Sequence, residues 1–167
     1  MDRLRKKLGA VAVVKIAPGG EAVLRLWVGA DHGGVELKQV LVAWLQAHHP
    51  GLSVNDVGTF DTRPVDYPDI ARQVAAAVAK DPSSAGILIC GTGNGMAMTA
   101  NKVRGIRAAV VFNEFTGKMA KAHNHANVIC LGGRSTPQTD ALAALKAWLE
   151  AAAEGERHQR RVEKIGQ

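Results

Sequence analysis

Cys90 ends an apolar run, residues 85–90, and opens a stretch of alternating glycines, Gly91-Thr92-Gly93-Asn94-Gly95. Glycines at alternate positions let the backbone approach a bound group closely and turn several N–H groups to one side. Such a loop can hold a phosphate or stabilise an oxyanion such as an enediolate. A tight turn that requires glycine has the same signature. A free thiol has a pKa of about 8.5, lowered beside a helix N-terminus or cationic side chains. A cysteine at the mouth of this loop is therefore a candidate base. A lone cysteine is more often a small buried hydrophobe, and Cys130, within Val128-Ile129-Cys130-Leu131, is assigned to that class.

Other reactive residue types gather at predicted strand and helix ends. They are Asp31 and His32 in Gly29-Ala30-Asp31-His32-Gly33-Gly34, His123-Asn124-His125, Gly132-Gly133-Arg134, and a basic run containing Arg157 and Arg161. Arg157 and Arg161 are four apart, so they share one helical face. They suit an anion, or else form a solvated basic tail. Asp31 and His32 also suit an ordinary helix N-cap.

A nicotinamide fingerprint would follow the first strand, with an acidic residue after the second. Here the glycines follow the third, which argues against a dinucleotide. Of the six histidines, His123 and His125 are two apart and would fall on different helical faces. No His-x-x-x-His or Cys-x-x-Cys spacing occurs, so no metal is expected. His48 and His49 precede Pro50 at a helix end and are expected to be solvated.

These residues need a scaffold, and the apolar pattern describes one. Short β-like runs cover 24–29, 52–57, 85–90, 106–111 and 127–131. Helical stretches cover 35–47, 67–80, 95–102, 113–124, 137–153 and 156–165. In 35–47 the apolar positions Val35, Leu37, Val40, Leu41, Trp44 and Leu45 follow the helical period, and Pro68 suits a first helical turn. Alternating strands and helices predict a parallel sheet covered on both faces. Ligands gather at the carboxyl ends of such strands. Residues 1–23 fit this scheme poorly. They are read as an N-terminal extension, flexible or a hairpin, before one domain spanning 24–167 that includes the basic C-terminal helix.

The chain has 167 residues and two cysteines. That length supports a core without staples, and so few thiols indicate a reducing, cytoplasmic setting. No apolar run reaches the ~18 residues of a membrane span. Net charge is +6, but much of it lies in terminal clusters, and one Tyr with three Phe is a thin supply for base stacking. Neither nucleic acid nor membrane is an expected partner. Trp27, Trp44 and Trp148 are read as core or interface residues.

The ordered set of Gly29-Ala30-Asp31-His32, Asp66-Tyr67-Pro68, Cys90-Gly91-Thr92-Gly93-Asn94-Gly95 with Ala100-Asn101-Lys102, His123-Asn124, Gly132-Gly133-Arg134 and Arg157-His158-Gln159-Arg160-Arg161-Val162 closely resembles the type B ribose-5-phosphate isomerases and their galactose-6-phosphate relatives. The resemblance covers residues 24–165. It implies a Rossmann-like three-layer domain with a five-stranded parallel sheet. The implied activity is interconversion of ribose 5-phosphate and ribulose 5-phosphate through a cis-enediolate, a step of the pentose phosphate pathway, with no cofactor. In that scheme His123 opens the furanose ring, supported by Asp31. Cys90 abstracts the proton, and Thr92 relays the hydroxyl proton. The amides of Gly91, Thr92, Gly93, Asn94 and Gly95 stabilise the developing charge. His32, Tyr67 and Asn124 bind substrate, while Arg134, Arg157 and Arg161 clamp the phosphate.

Some family members place a glutamate just after the glycine loop instead of using cysteine. Met96 stands there in this chain, so it resembles the cysteine type. The family implies homodimers or tetramers with sites shared between subunits. Another phosphosugar, such as galactose 6-phosphate or a tetrose phosphate, is the alternative substrate. A non-catalytic sugar-phosphate-binding module is the alternative from another class.

Overall fold

The computed structural model describes residues 14–15, 22–23 and 25–166. Two residues at each edge of the N-terminal segment pair antiparallel: β1 (Val14–Lys15) with β2 (Ala22–Val23), in the register Val14 to Val23. This is the short ladder expected of a hairpin. The rest of the expected extension lies outside the described residues.

The domain proper alternates strand and helix: β3 (Arg25–Ala30), α1 (Val35–His48), β4 (Ser53–Asp56), α2 (Tyr67–Lys80), β5 (Ser84–Cys90), α3 (Asn94–Ala100), β6 (Ala108–Val110), α4 (Glu114–Ala122), β7 (Val128–Gly132), α5 (Gln138–Glu150) and α6 (Arg157–Ile165). The five strands β3–β7 form one wholly parallel sheet in the order β4-β3-β5-β7-β6. The α/β class and strand number expected from the sequence are those observed. Strand order reverses direction between β3 and β5. The crevice outside their carboxyl ends is therefore the topological switch point of the sheet.

Side chains on a strand alternate between faces, and β5 shows how this divides the interior. Ile87 and Ile89 join one buried cluster with Leu41, Leu45 and Trp148 of α1 and α5. Leu88 and Cys90 join a second with Val74, Val78 and Met96 of α2 and α3. Burial on both faces explains why β5 reads as an unbroken apolar run rather than an alternating one. Trp148 is fully buried and donates its indole N–H to Ala126 O at 3.0 Å. No helix among the described residues is long and apolar enough to cross a membrane.

One expectation is corrected and one buried residue is added. His49 is not solvated: it is 8% exposed and packs against Trp44, with ring centroids 5.2 Å apart, while His48 stays exposed and stacks on the same indole. The apolar stripe of α1 also omits a buried member. Lys38 is 1% exposed. Its Nζ donates to Asp56 Oδ1 at 2.6 Å and to Thr59 O at 2.7 Å, tying α1 to the loop after β4.

Candidate active site

The carboxyl ends of β3, β5 and β7 meet around Cys90. Backbone bonds hold them together: Asp31 N–H to Ile89 O at 3.0 Å, Gly133 N–H to Cys90 O at 2.7 Å, and Arg134 N–H to Gly91 O at 3.0 Å. Cys90 is nearly buried, and its Sγ accepts the Gly93 N–H at 3.1 Å. That bond depends on Gly93, whose φ of +82° is a conformation that side chains other than glycine rarely adopt. The glycine pattern is therefore a tight turn with the sulfur at its centre. Cys130 contrasts with it. Burial first, and then the neighbouring Cys90, push the Cys130 thiol far above its ordinary range, which leaves it a neutral core residue.

Four further side chains reach this pole. Asp31 Oδ1 accepts the Gly33 N–H at 2.8 Å, which turns its carboxylate over the switch point. His32 Nδ1 accepts the Val65 N–H at 3.3 Å. In the neutral ring the proton is then on Nε2, as a donor. Tyr67 lies so close over Gly95 that a methyl group there would meet its ring at 2.6 Å. The Arg134 guanidinium passes over Gly33 and Gly91, with Cζ 3.5 Å from where a Gly33 Cβ would stand. Thr92 and Asn94 are exposed on the rim, and Asn94 N–H approaches Thr92 Oγ1 at 3.4 Å. α3 has only seven residues, and among the described residues the one side-chain cation the structure sets over the loop is Arg134.

His123 and Asn124 lie elsewhere. They follow α4, which returns from the carboxyl end of β6 to the amino end of β7. Asn127 O accepts the Gly86 N–H at 2.9 Å, which sets this turn beside the start of β5. From Gly86 to Cys90 is four strand residues, roughly 13 Å. Proton transfer needs groups within about 3 Å or one bridging water. A single chain does not bring His123 and Cys90 to one substrate.

The second pole has its own order. The irregular segment between α5 and α6 is anchored on both sides of Glu154. Glu154 N–H donates to Ala122 O at 2.8 Å, and Glu154 O is 2.7 Å from His125 Nε2. The Glu154 carboxylate then faces His123 and His158, whose rings stack with centroids 4.0 Å apart. Arg157 Nε donates to His158 Nε2 at 3.2 Å. Burial, followed by His123 and Arg157, lowers the His158 pKa below the ordinary imidazole value, against an opposing pull from Glu154. Arg157 and Arg161 are exposed. Asn124 lines a cavity of about 440 Å³ with Asn101, Arg104, Arg107, Val162 and Ile165.

The structure thus brings together Asp31, His32, Tyr67, Cys90, the loop 91–95 and Arg134. It places His123, Asn124, Arg157 and Arg161 at the opposite pole, so the three arginines of the expected clamp are divided. Glu154 and His158 escaped the sequence reading as a pair. Their spacing of four carries meaning only inside a helix, and Glu154 precedes α6.

Residues 26–165 match the family described as Ribose/Galactose Isomerase. The chain is 44% identical over 137 residues to the ribose-5-phosphate isomerase B of Escherichia coli, covering 82% of this chain and 91% of that protein. It is similar to the structure of the Clostridium thermocellum ribose-5-phosphate isomerase B, with a TM-score of 0.81 and 44% identity over 85% of this chain and 95% of that one. It is also similar to the Mycoplasma genitalium ribose-5-phosphate isomerase B with bound ribulose-5-phosphate, with a TM-score of 0.79 and 41% identity over 85% and 93%.

Proposed function

The chain belongs to the ribose/galactose isomerase family, and on that premise we propose that it interconverts ribose 5-phosphate and ribulose 5-phosphate at a site completed by two copies of itself. It is an aldose–ketose isomerase, an intramolecular oxidoreductase. The observation that carries the mechanism is the Cys90 sulfur, held at the switch point by the Gly93 N–H at 3.1 Å.

Removing the C2 proton of the open-chain aldose leaves an enediolate across C1 and C2. Returning a proton to C1, with the O2 hydroxyl proton passing to O1, yields the ketose. Hydrogen moves between two carbons of one molecule, so the reaction calls on no external electron carrier. Cys90 takes and returns the carbon-bound proton. The amides of 91–95 face the enediolate oxygen, where preorganised donors act most strongly. Thr92, on the rim, relays the hydroxyl proton. Asp31, His32 and Tyr67 border the sugar, and Arg134 reaches the same bowl.

Ring opening falls to His123, with Asn124 beside it, and the phosphate to Arg157 and Arg161. Because these sit at the amino pole, they serve the Cys90 of a second copy. Arginine suits this task because its fork matches phosphate oxygens.

Two measurements test the reading. Across phosphorylated tetroses, pentoses and hexoses, kcat/KM should be highest for ribose 5-phosphate. A hexose phosphate in first place would move the substrate within the family, and no turnover with any sugar would leave a binding module. Mixing Cys90→Ala subunits with His123→Asn subunits should restore activity, since one site of each mixed dimer is intact. Verified exchange without recovery would place both residues in one chain's site.

A further inference from the structure

We propose that His123, Glu154 and His158 form a binding site for one divalent transition-metal ion of the zinc class, and that the ion inhibits turnover when bound. The ligand atoms of these three residues lie within 4.8 Å of one another. His123 Nε2 is 3.6 Å and His158 Nε2 3.5 Å from the same oxygen, Glu154 Oε2. A tetrahedral zinc ion with bonds of ~2.0–2.2 Å requires ligand atoms ~3.3 Å apart. Both carboxylate–imidazole separations are within a few tenths of an ångström of that value. The imidazole rings stack with 13° between their planes, so one must tilt for its lone pair to converge on the ion. The His123 side chain is 35% exposed and has room to do so, while that of His158 is 7% exposed and anchors the site.

Three features make this more than a chance cluster. The Glu154 backbone is clamped on both sides, through its N–H to Ala122 and its carbonyl to His125, so the carboxylate is presented before any ion arrives. His158 Nε2 accepts from Arg157 Nε at 3.2 Å, so that nitrogen carries no proton, and the exposed Arg157 must swing off it for an ion to take the lone pair. The Glu154 side chain is 54% exposed, leaving water to complete the coordination. Two imidazoles and one carboxylate suit zinc and its neighbours, whereas magnesium and calcium favour all-oxygen sets.

The inhibition rests on the function proposed above. The ion would take His123 Nε2 out of ring opening and displace Arg157 from His158, disturbing the phosphate grip at the same pole.

The test uses the full-length chain after chelator treatment. Calorimetric titration should find one zinc ion per chain, with magnesium binding far more weakly. His158→Gln and Glu154→Gln should each weaken zinc affinity at least about tenfold, the loss that even an outer partner of a metal ligand brings. Circular dichroism on both variants checks the fold, and the exposed Glu154 is the milder change. Cys90→Ser should leave the affinity unaltered, and the cobalt complex should show visible ligand-field bands without a thiolate charge-transfer band. Equal zinc affinity in wild type and both folded variants would overturn the site, as would loss of binding in Cys90→Ser. Turnover of ribose 5-phosphate should fall with the same midpoint as binding. Binding at the three residues with turnover unchanged would overturn the inhibition and the ring-opening role of His123, while leaving the metal site standing.

Discussion

At the carboxyl pole of the sheet the chemistry is carried by backbone. A glycine held at positive φ aims its N–H at the Cys90 sulfur, and loops from three strands are laced by main-chain bonds. At the amino pole it is carried by long side chains: two stacked imidazoles, a carboxylate, and arginines exposed on a nine-residue helix. The first pole sets one carboxylate, Asp31, and one guanidinium, Arg134, around tightly bonded backbone, suited to a small developing anion. The second is cationic and open, suited to a dianionic phosphate and to proton delivery. On the proposed mechanism each has half of what an isomerase needs, and the sheet holds them apart. That separation is the structural reason for expecting a second copy of the chain in every site.

The largest test of this division is Cys90→Ala. Removing a positioned base typically costs about 10²–10⁴-fold in rate, so kcat should fall by that much with the thermal midpoint nearly unchanged. Cys130→Ala, forty residues on and facing the same core cluster, should leave kcat intact. Equal losses in the two variants would erase the distinction between the thiols.

A smaller effect is expected at the other pole. Arg157→Ala and Arg161→Ala should act mainly on KM, because a hydrogen bond to a charged group contributes about 1.5–3 kcal/mol, or roughly 10- to 150-fold in affinity. The loss should shrink with salt. A fall in kcat at constant KM would show that these arginines act on the transition state rather than on the phosphate.

The smallest effect concerns stability at the cationic pole. Lys121 is fully buried in α4, its Nζ has no hydrogen-bond partner among the described residues, and it lies 5.6 Å from the Trp148 ring centroid. Burial, and then Arg107, lower its pKa to about 7. The unfolded chain keeps that proton to about pH 10.4. Between these values the unfolded state binds more protons, so the wild-type fold gains stability as pH rises from 7 toward 10. Lys121→Met should raise the thermal midpoint at pH 7, by about 2–4 °C for each kcal/mol relieved. The advantage should fade toward pH 10, and a gain that is flat across this range would assign Lys121 no titration on folding.

Much of this was legible in the amino-acid order. Tyr67–Lys80 starts and stops as a helix where Pro68 and the apolar period place it. β5 reads as a covered parallel strand because both of its faces are apolar, and the glycines after Cys90 announce a backbone that must turn tightly. The burial of Lys38 and of His49 is not legible in the sequence, for a common reason. Their burial depends on partners distant in sequence, Asp56 and Thr59 for the first, or on packing against Trp44 for the second, and neither leaves a periodic trace. Glu154 and His158 were missed because the link between them is a folded-back loop rather than a helical turn.

The order of residues by itself determined the parallel α/β class, the identity of the reactive groups and their alternation with the elements that carry them, because these follow from local periodicity and from side-chain chemistry. Where each group stands was decided by the tertiary structure. A parallel sheet sends every returning helix back to its amino edge, so residues that read as neighbours in a motif list, Cys90 and His123, end on opposite sides of the same five strands.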